Sequence, residues 1–471
     1  MFASELWHGK AESRYAIDQS IRFNDNDSAY MHRTPSSAGN RRTFTYSFWF
    51  KLGDMATTQR MFLSVRNSDT TRDNLIFNQG SSGDYRIYLD ARVSGSAHTV
   101  LEPTRALRDP SAFYHFVLTV DTTNAISSER VKMYLNGIRE TTFTNETYPS
   151  LNQEFRINNT DKHSIGRFEF SSPSGYFDGY MAEIHLLDGY AYDPSYFGET
   201  TSEGIWIPKE YTGSYGTNGF KIDGRDASDL GDDESGNGND FTANGMETND
   251  QKADTPTNNQ ITFNPLNNQR SGGSPSNGNL DYVGPGSRRT IISLTANIPS
   301  TGKWAIAYKV AQVSTSSGWQ IGISTANDSD FGDAVSSNED LDLVRMQTTS
   351  SDLKINDAVN GSTIDPSLPV TTSDEFWVAV DMDSGKVFLG IYDASDTSMK
   401  FVANDAGLDG NPATGDNPTV TFDELQMPRD NVVFSVGSKQ TSQYIYLQRS
   451  TDVSGTTPTG YTYFENVKDL F

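Results

Sequence analysis

Between Gly204 and Leu266 the chain runs through GIWIPKEYTGSYGTNGFKIDGRDASDLGDDESGNGNDFTANG and on to DTPTNNQITFNPL. Glycine and asparagine supply positive φ, aspartate folds its side chain back on the backbone, and proline fixes φ. That density of turn chemistry around isolated apolar pairs excludes a long helix. Stretches with the period-two alternation of half-buried strands flank it on both sides. At 471 residues the chain exceeds one sandwich of ordinary size, so at least two cores are expected. The 22 Tyr, 26 Phe and 39 Gly, with almost no 3.6-residue periodicity, complete an all-β reading.

On the N-terminal side, alternation predicts strands at 20–23, 28–32, 43–52, 60–65, 74–78, 85–92, 113–121, 130–138, 139–143, 164–167 and 179–187. In TFTYSFWFKL the aromatic rings of Phe44, Tyr46, Phe48 and Phe50 share one face and Trp49 points the other way. Asn136-Gly137 supplies the two positive-φ residues of a type I′ hairpin turn. Asp193-Pro194 is an N-cap followed by a proline at the first helical position. A hairpin-rich set of this size suggests two antiparallel sheets packed face to face. On the C-terminal side, 269–286 reads as a linker or long loop. Strands follow at 302–313, 318–324, 341–347, 375–381 and 386–392, the last two joined through the turn DMDSGK.

The Trp206-Ile207-Pro208 anchor, the SGNGND run and DTPTNN resemble a junction found in structural proteins of marine tailed bacteriophages. There a laminin-G/concanavalin-A-like domain is followed by a SPRY-like one. TFTYSFWFK, VKMYLNG, Ile165 to Arg167 and FDGYMAEIHLLDG look like landmarks of the first type. GKW, GWQIGI, VDMDSGKVF, GLDGNPATG, VVFSVGS and TPTGYTYF resemble the second, which departs from its pattern at Tyr392 to Lys400. The resemblance implies a concanavalin-A-like jelly roll over 1–208, a Gly/Asn/Asp-rich junction over 209–268 and a SPRY-like β-sandwich over 269–471. It also implies a virion protein assembled in the host cytoplasm: a tail fibre, head fibre or decoration protein.

The 37 Lys and Arg stand against 61 Asp and Glu, a net charge of −24. Without clustered cations, nucleic acid and anionic membrane surfaces are not expected partners. No apolar run reaches the length of a membrane helix, and the opening MFASELWHGKAESRYAIDQS lacks the apolar core of a signal peptide. There are no cysteines, which suits a reducing compartment and removes thiolate chemistry.

Hydrolases on concanavalin-type folds carry paired carboxylates on one strand face. No such run occurs, and Asp340 and Asp342 read as a solvated rim. The six His show neither metal-ligand spacing nor a nucleophile elbow, and His115 and His185 sit between apolar neighbours as half-buried strand residues. No catalytic residue is therefore assigned.

Calcium is the candidate cofactor. Asp233, Ser235, Asn237 and Asn239 follow the start of an EF-hand-type loop, but Asn244 stands where the closing Glu belongs. The competing reading is an Asx-rich turn held by its own side chains. Tyr190, Tyr192, Tyr196, Tyr211 and Tyr215 cluster near the junction, as a sugar platform or as a staple between domains. Trp49, Trp304, Trp319 and Trp377 read as core.

The expectation is a non-enzymatic structural protein that binds other virion proteins and a host surface glycan, with self-association through sheet edges; the resemblance to viral appendages implies a trimer. A virion-borne polysaccharide depolymerase and a pure spacer are the alternatives.

Overall fold

A computed structural model describes residues 15–53, 59–79, 84–169, 171–269, 273–284, 290–313, 319–325, 344–349, 352–357, 362–425, 429–438 and 443–470. The described residues divide into two compact units, one ending at Asn259 and one beginning at Gln260. Each is an antiparallel β-sandwich.

In the first unit, one sheet takes the order Ile138–Arg139, Val131–Leu135, Phe113–Asp121, Thr43–Leu52, Gly179–Asp188, Ser20–Phe23, Gln251–Lys252, with Phe220–Ile222 also paired to Gly179–Asp188. The facing sheet runs Phe143–Thr147, Ser96–Pro103, Tyr85–Val93, Thr71–Gln79, Arg60–Ser68, Lys162–Ile165, Tyr30–Arg33, Thr242–Asn244. Alternation puts Phe44, Tyr46, Phe48 and Phe50 into the core between them, against Phe62, Val65, Leu75 and Leu89. The Asn136-Gly137 turn has both residues at positive φ, 49° and 75°, as a type I′ hairpin requires. Asp193 caps a short 3-10 turn, Pro194–Tyr196, by accepting from the Ser195 N–H.

The stretch expected as a junction folds otherwise. Three of its segments, Phe220–Ile222, Thr242–Asn244 and Gln251–Lys252, pair into the sheets of the first unit, and the division falls after Asn259. Its turns serve compact excursions within one unit. The outer face of the Thr43–Leu52 strand explains why. Thr45, Ser47, Trp49 and Lys51 alternate outward yet all are buried, because residues beyond Tyr190 lie over them. Phe197 and Tyr211 pack there on Val117, Tyr134 and Leu187. Burying a ring of this size contributes about 1.5–3 kcal/mol. The tyrosine cluster thus fastens the later chain to the outer face of its own sandwich.

Register along Gly179–Asp188 slips opposite Thr43–Leu52 between Ala182 and His185. Glu183 occupies this bulge at φ 48°. Strict alternation would aim Glu183 into the core. The extra residue keeps its carboxylate on the outer side and returns Ile184 and Leu186 to the inner one.

In the second unit, seven strands run Phe263–Gln269, Thr290–Leu294, Val432–Ser438, Trp319–Thr325, Val344–Thr349, Asp352–Asp357, Ser362–Ile364. The facing sheet is built on Ser274–Ser276, Asp281–Val283, Tyr444–Leu447, Lys303–Val310, Glu375–Asp381, Lys386–Asp393 and Ser398–Val402. The expected linker at 269–286 holds the hairpin of Ser274–Ser276 with Asp281–Val283, which extends this sheet. Trp319 meets Phe376 edge-on in the core. On the outer face Trp377, Phe388 and Phe401 are roofed by Tyr461 and Tyr463. Glu375, fully buried, accepts from the Ser454 and Gly455 N–H groups at 2.6 and 2.9 Å and so pins the roof. Asp340 and Asp342 lie outside the described residues.

Candidate binding groove and the buried histidines

The loop read as a calcium site is closed by its own hydrogen bonds. Asp233, 7% exposed, accepts at Oδ1 from the Lys221 and Ser235 N–H groups and at Oδ2 from Ser235 Oγ and the Asn239 N–H. Asn237 donates its amide to the carbonyls of Gly216 and Gly219. Asn239 donates to those of Thr217 and Gly219. Carbonyls accept only, so these contacts fix both amides with nitrogen toward the backbone. The oxygen of Asn239 then takes a hydrogen bond from the Arg33 guanidinium, which also bonds the Asn218 carbonyl at 3.0 Å. The Asp233 carboxylate and the Asn239 amide oxygen thus already accept from protein donors, and Arg33 supplies a positive charge. As folded, Asp233, Ser235, Asn237 and Asn239 hold the loop as a self-bonded turn. Among the described residues no three His, Asp or Glu side chains converge as metal ligands elsewhere.

Beside this loop lies an open groove with a volume of about 560 Å³. Its walls come from Ala227–Leu230, Asp240–Ala243 and Met246–Thr248. Phe241 and Leu230 anchor those walls in the core, which leaves Asp229, Asp240 and Glu247 exposed along the rim. Desolvation first, then the charges of Asp240, Asp229 and Asp226, push the Asp232 carboxyl above its ordinary range. The field in the groove is negative, and its carboxylates are hydrogen-bond acceptors.

The tyrosines add one exposed aromatic surface. Tyr192 and Tyr196 stack with centroids 4.0 Å apart and planes 6° from parallel, and Tyr196 is 43% exposed.

Two histidines lie on the outer face of the first sheet. The His115 ring stacks on Trp49, and its Nδ1 accepts from Trp206 Nε1–H at 3.1 Å. Indole nitrogen only donates, so the ring proton sits on Nε2 and is directed to Ser47 Oγ, 2.9 Å away. A base that already donates to the hydroxyl cannot take its proton, so the Ser47–His115 pair is not a nucleophile and its base. Burial, and then the neighbouring His185, push His115 down to about 3.

His185 bonds Glu183 Oε2 through Nε2 at 3.1 Å and Tyr215 Oη through Nδ1 at 3.0 Å. Glu183 also accepts from Tyr15 Oη at 2.9 Å and pairs with Lys221 Nζ at 3.1 Å. Burial acts to raise its pKa, but the hydrogen bond and charge of His185, the charge of Lys221 and the Tyr15 bond outweigh it and hold Glu183 at about 2. The bulge that exposes this carboxylate to its partners has no simple sequence signal, and Glu183 was missed for that reason.

Residues 24–191 match the family model of the concanavalin A-like lectin/glucanases superfamily. No curated protein matches the chain. Among solved structures, a candidate carbohydrate-binding protein from Bacteroides ovatus is 14% identical over 49% of this chain, with a TM-score of 0.32. The chain spans 58% of that protein's length. The SPRY domain of human HERC1 is 13% identical over 40% of this chain and 98% of its own, at a TM-score of 0.26. The enzymatically active domain of tailspike protein 2 from bacteriophage CBA120 is 8% identical over 40% of this chain and 31% of its own, at 0.27.

Proposed function

We propose that this chain is a non-enzymatic, glycan-binding structural protein of a phage particle, holding a host surface saccharide with its first sandwich. The observation that carries the reading is the groove of about 560 Å³ on a sandwich whose residues 24–191 match a lectin-type family. Saccharide sites are concave and need fixed acceptors for hydroxyl protons, which Asp229, Asp240 and Glu247 supply. The direction of the Ser47–His115 hydrogen bond speaks against acyl-transfer chemistry on the outer face. Function lives in the site and not in the fold, so placement on a tail fibre, head fibre or capsid surface rests on the sequence resemblance at the junction.

The test is incubation of the full chain with purified host surface polysaccharide. Binding without new reducing ends, weakened at least tenfold by Asp229→Ala with Glu247→Ala, supports the reading. Released reducing ends would make the protein a depolymerase. No binding to any saccharide on an array would make it a spacer among virion proteins.

A further inference from the structure

The DTPTNN run that marks the end of the first unit is built as a clasp. Thr257 Oγ1 accepts from the Ile17 N–H and donates to the Ile17 carbonyl, and Ser20 Oγ donates to the Asp254 carbonyl. These bonds set Asp254 and Asn259 against Lys51, whose side chain leaves the outer face of Thr43–Leu52. Lys51 is 0% exposed and Asp254 is 1% exposed. Lys51 Nζ lies 3.0 Å from Asp254 Oδ2 and 2.9 Å from the amide oxygen of Asn259. The rings of Phe113 and Tyr180 lie with centroids 5.7 and 5.9 Å from Nζ. Asn259 Nδ2 donates to the Ser111 carbonyl at 2.8 Å, which fixes the amide with its oxygen toward the lysine.

A buried amine and carboxylate with a half-buried side-chain amide against the amine are the complete set for amide exchange. We propose that Lys51 and Asn259 join in a self-formed isopeptide bond, with Asp254 as the proton carrier. The Asp254 carboxylate takes a proton from the Lys51 ammonium, and the freed Nζ lone pair attacks Asn259 Cγ while the carbonyl π pair moves to Oδ1. Asp254 delivers the proton to Nδ2, the carbonyl re-forms, and the Cγ–Nδ2 bond breaks. A further proton lost from Nζ leaves with the departing ammonia as ammonium. Lysine ammonium and asparagine amide become one secondary amide and one ammonium ion, with no oxidant, cofactor or metal. Positioning supplies the rate, since Nζ is held within hydrogen-bond reach of both the carboxylate and the amide oxygen.

The bond ties the residue where the chain leaves the first unit to the end of the central strand of one of its sheets. Tension along the polypeptide between the two units would then be borne by a covalent link and not by peeling of the short Gln251–Lys252 strand.

The test is intact-mass and tandem mass spectrometry of the purified full chain. The expected mass is lower than the sequence mass by one ammonia, with a branched proteolytic peptide joining Lys51 to Asn259. Asp254→Asn and Lys51→Met, each checked for folding by circular dichroism, should show the full sequence mass. Wild-type protein at full mass with no branched peptide overturns the proposal. So does an ammonia loss that persists in Lys51→Met, which would locate it in cyclisation at an Asn-Gly pair. If either variant fails to fold, the wild-type peptide map decides alone.

Discussion

Acidification should unfold the first sandwich well before the second. His115 and His163 are buried and neutral, held at about 3 and about 4 against an ordinary 6.5, in each case chiefly by burial. His163 Nε2 accepts from the Asn158 N–H at 3.1 Å and its Nδ1 faces the Asp161 carbonyl at 2.8 Å, so a second proton would leave the Asn158 N–H opposed by another donor. The unfolded chain binds protons below about pH 6.5 while the folded one does not. Stability from these groups is therefore fully present above that pH and is lost as pH falls toward 4. Each contributes about 1.4 kcal/mol per pH unit, or about 5 kcal/mol for the pair between pH 6.5 and 4.5. Burial drives His98 down to about 4 and Asp73 beside it up to about 7. Over the same interval folded Asp73 gains a proton that unfolded Asp73 does not, offsetting the His98 loss by a similar amount. A net of about 5 kcal/mol is a large part of a domain's stability and lowers its melting temperature by roughly 10–20 °C. All six histidines lie at or before His185, so the second unit lacks this liability. Calorimetry from pH 7 to 4.5, with transitions assigned by proteolysis and fragment mass, should show only the first unit moving by this amount. Equal shifts in both units, or His115 titrating near 6.5 by NMR, would refute the reasoning.

Glu183→Gln removes a carboxylate held at about 2, whose stabilisation is present above about pH 4.5 and fades as pH falls toward 2. The variant should lose about 3 kcal/mol at pH 7 and show a flatter stability profile between pH 4.5 and 2 in urea melts. At Gly137, φ is 75° and a Cβ would lie 2.5 Å from Trp206 Cε3, so Gly137→Ala should cost roughly 2–4 kcal/mol by the same assay. Neither EDTA nor millimolar calcium should move the melting temperature, because Arg33 and backbone donors saturate the 233–239 loop; a rise with calcium would restore the cation site.

Long alternating strands were legible, because a period-two alternation of large apolar residues is written directly into TFTYSFWFKL and EFWVAVD. The Asn136-Gly137 hairpin was legible for a different reason: few pairs tolerate positive φ at both positions. What misled was the turn-rich stretch after Pro208. Its strands are two or three residues long, too short for periodicity, and their pairing partners lie 30 to more than 200 positions earlier. Such pairing is set by the surface already present and not by local preference. A cue was nonetheless visible, since every outward residue of Thr43–Leu52 except Lys51 is uncharged, an odd choice for a solvent face.

Lys51 turns that cue into an argument about both sandwiches. The lysine on a face otherwise made of Thr45, Ser47 and Trp49 is fully buried under the last residues of its own unit. The second sandwich solves the same problem with Glu375, equally buried and held by the roof at Ser454 and Gly455. In each case a buried charged residue on the outer face, Lys51 in one sandwich and Glu375 in the other, marks where a later segment returns. Removing a partner from such a buried charge leaves it uncompensated, a cost of several kcal/mol, so the returning segment is specified in register as well as in affinity. These extra layers also explain how a chain with 35% hydrophobic residues closes two cores: polar turns carry the length, and a few buried charges with their backbone donors fix where each turn lands.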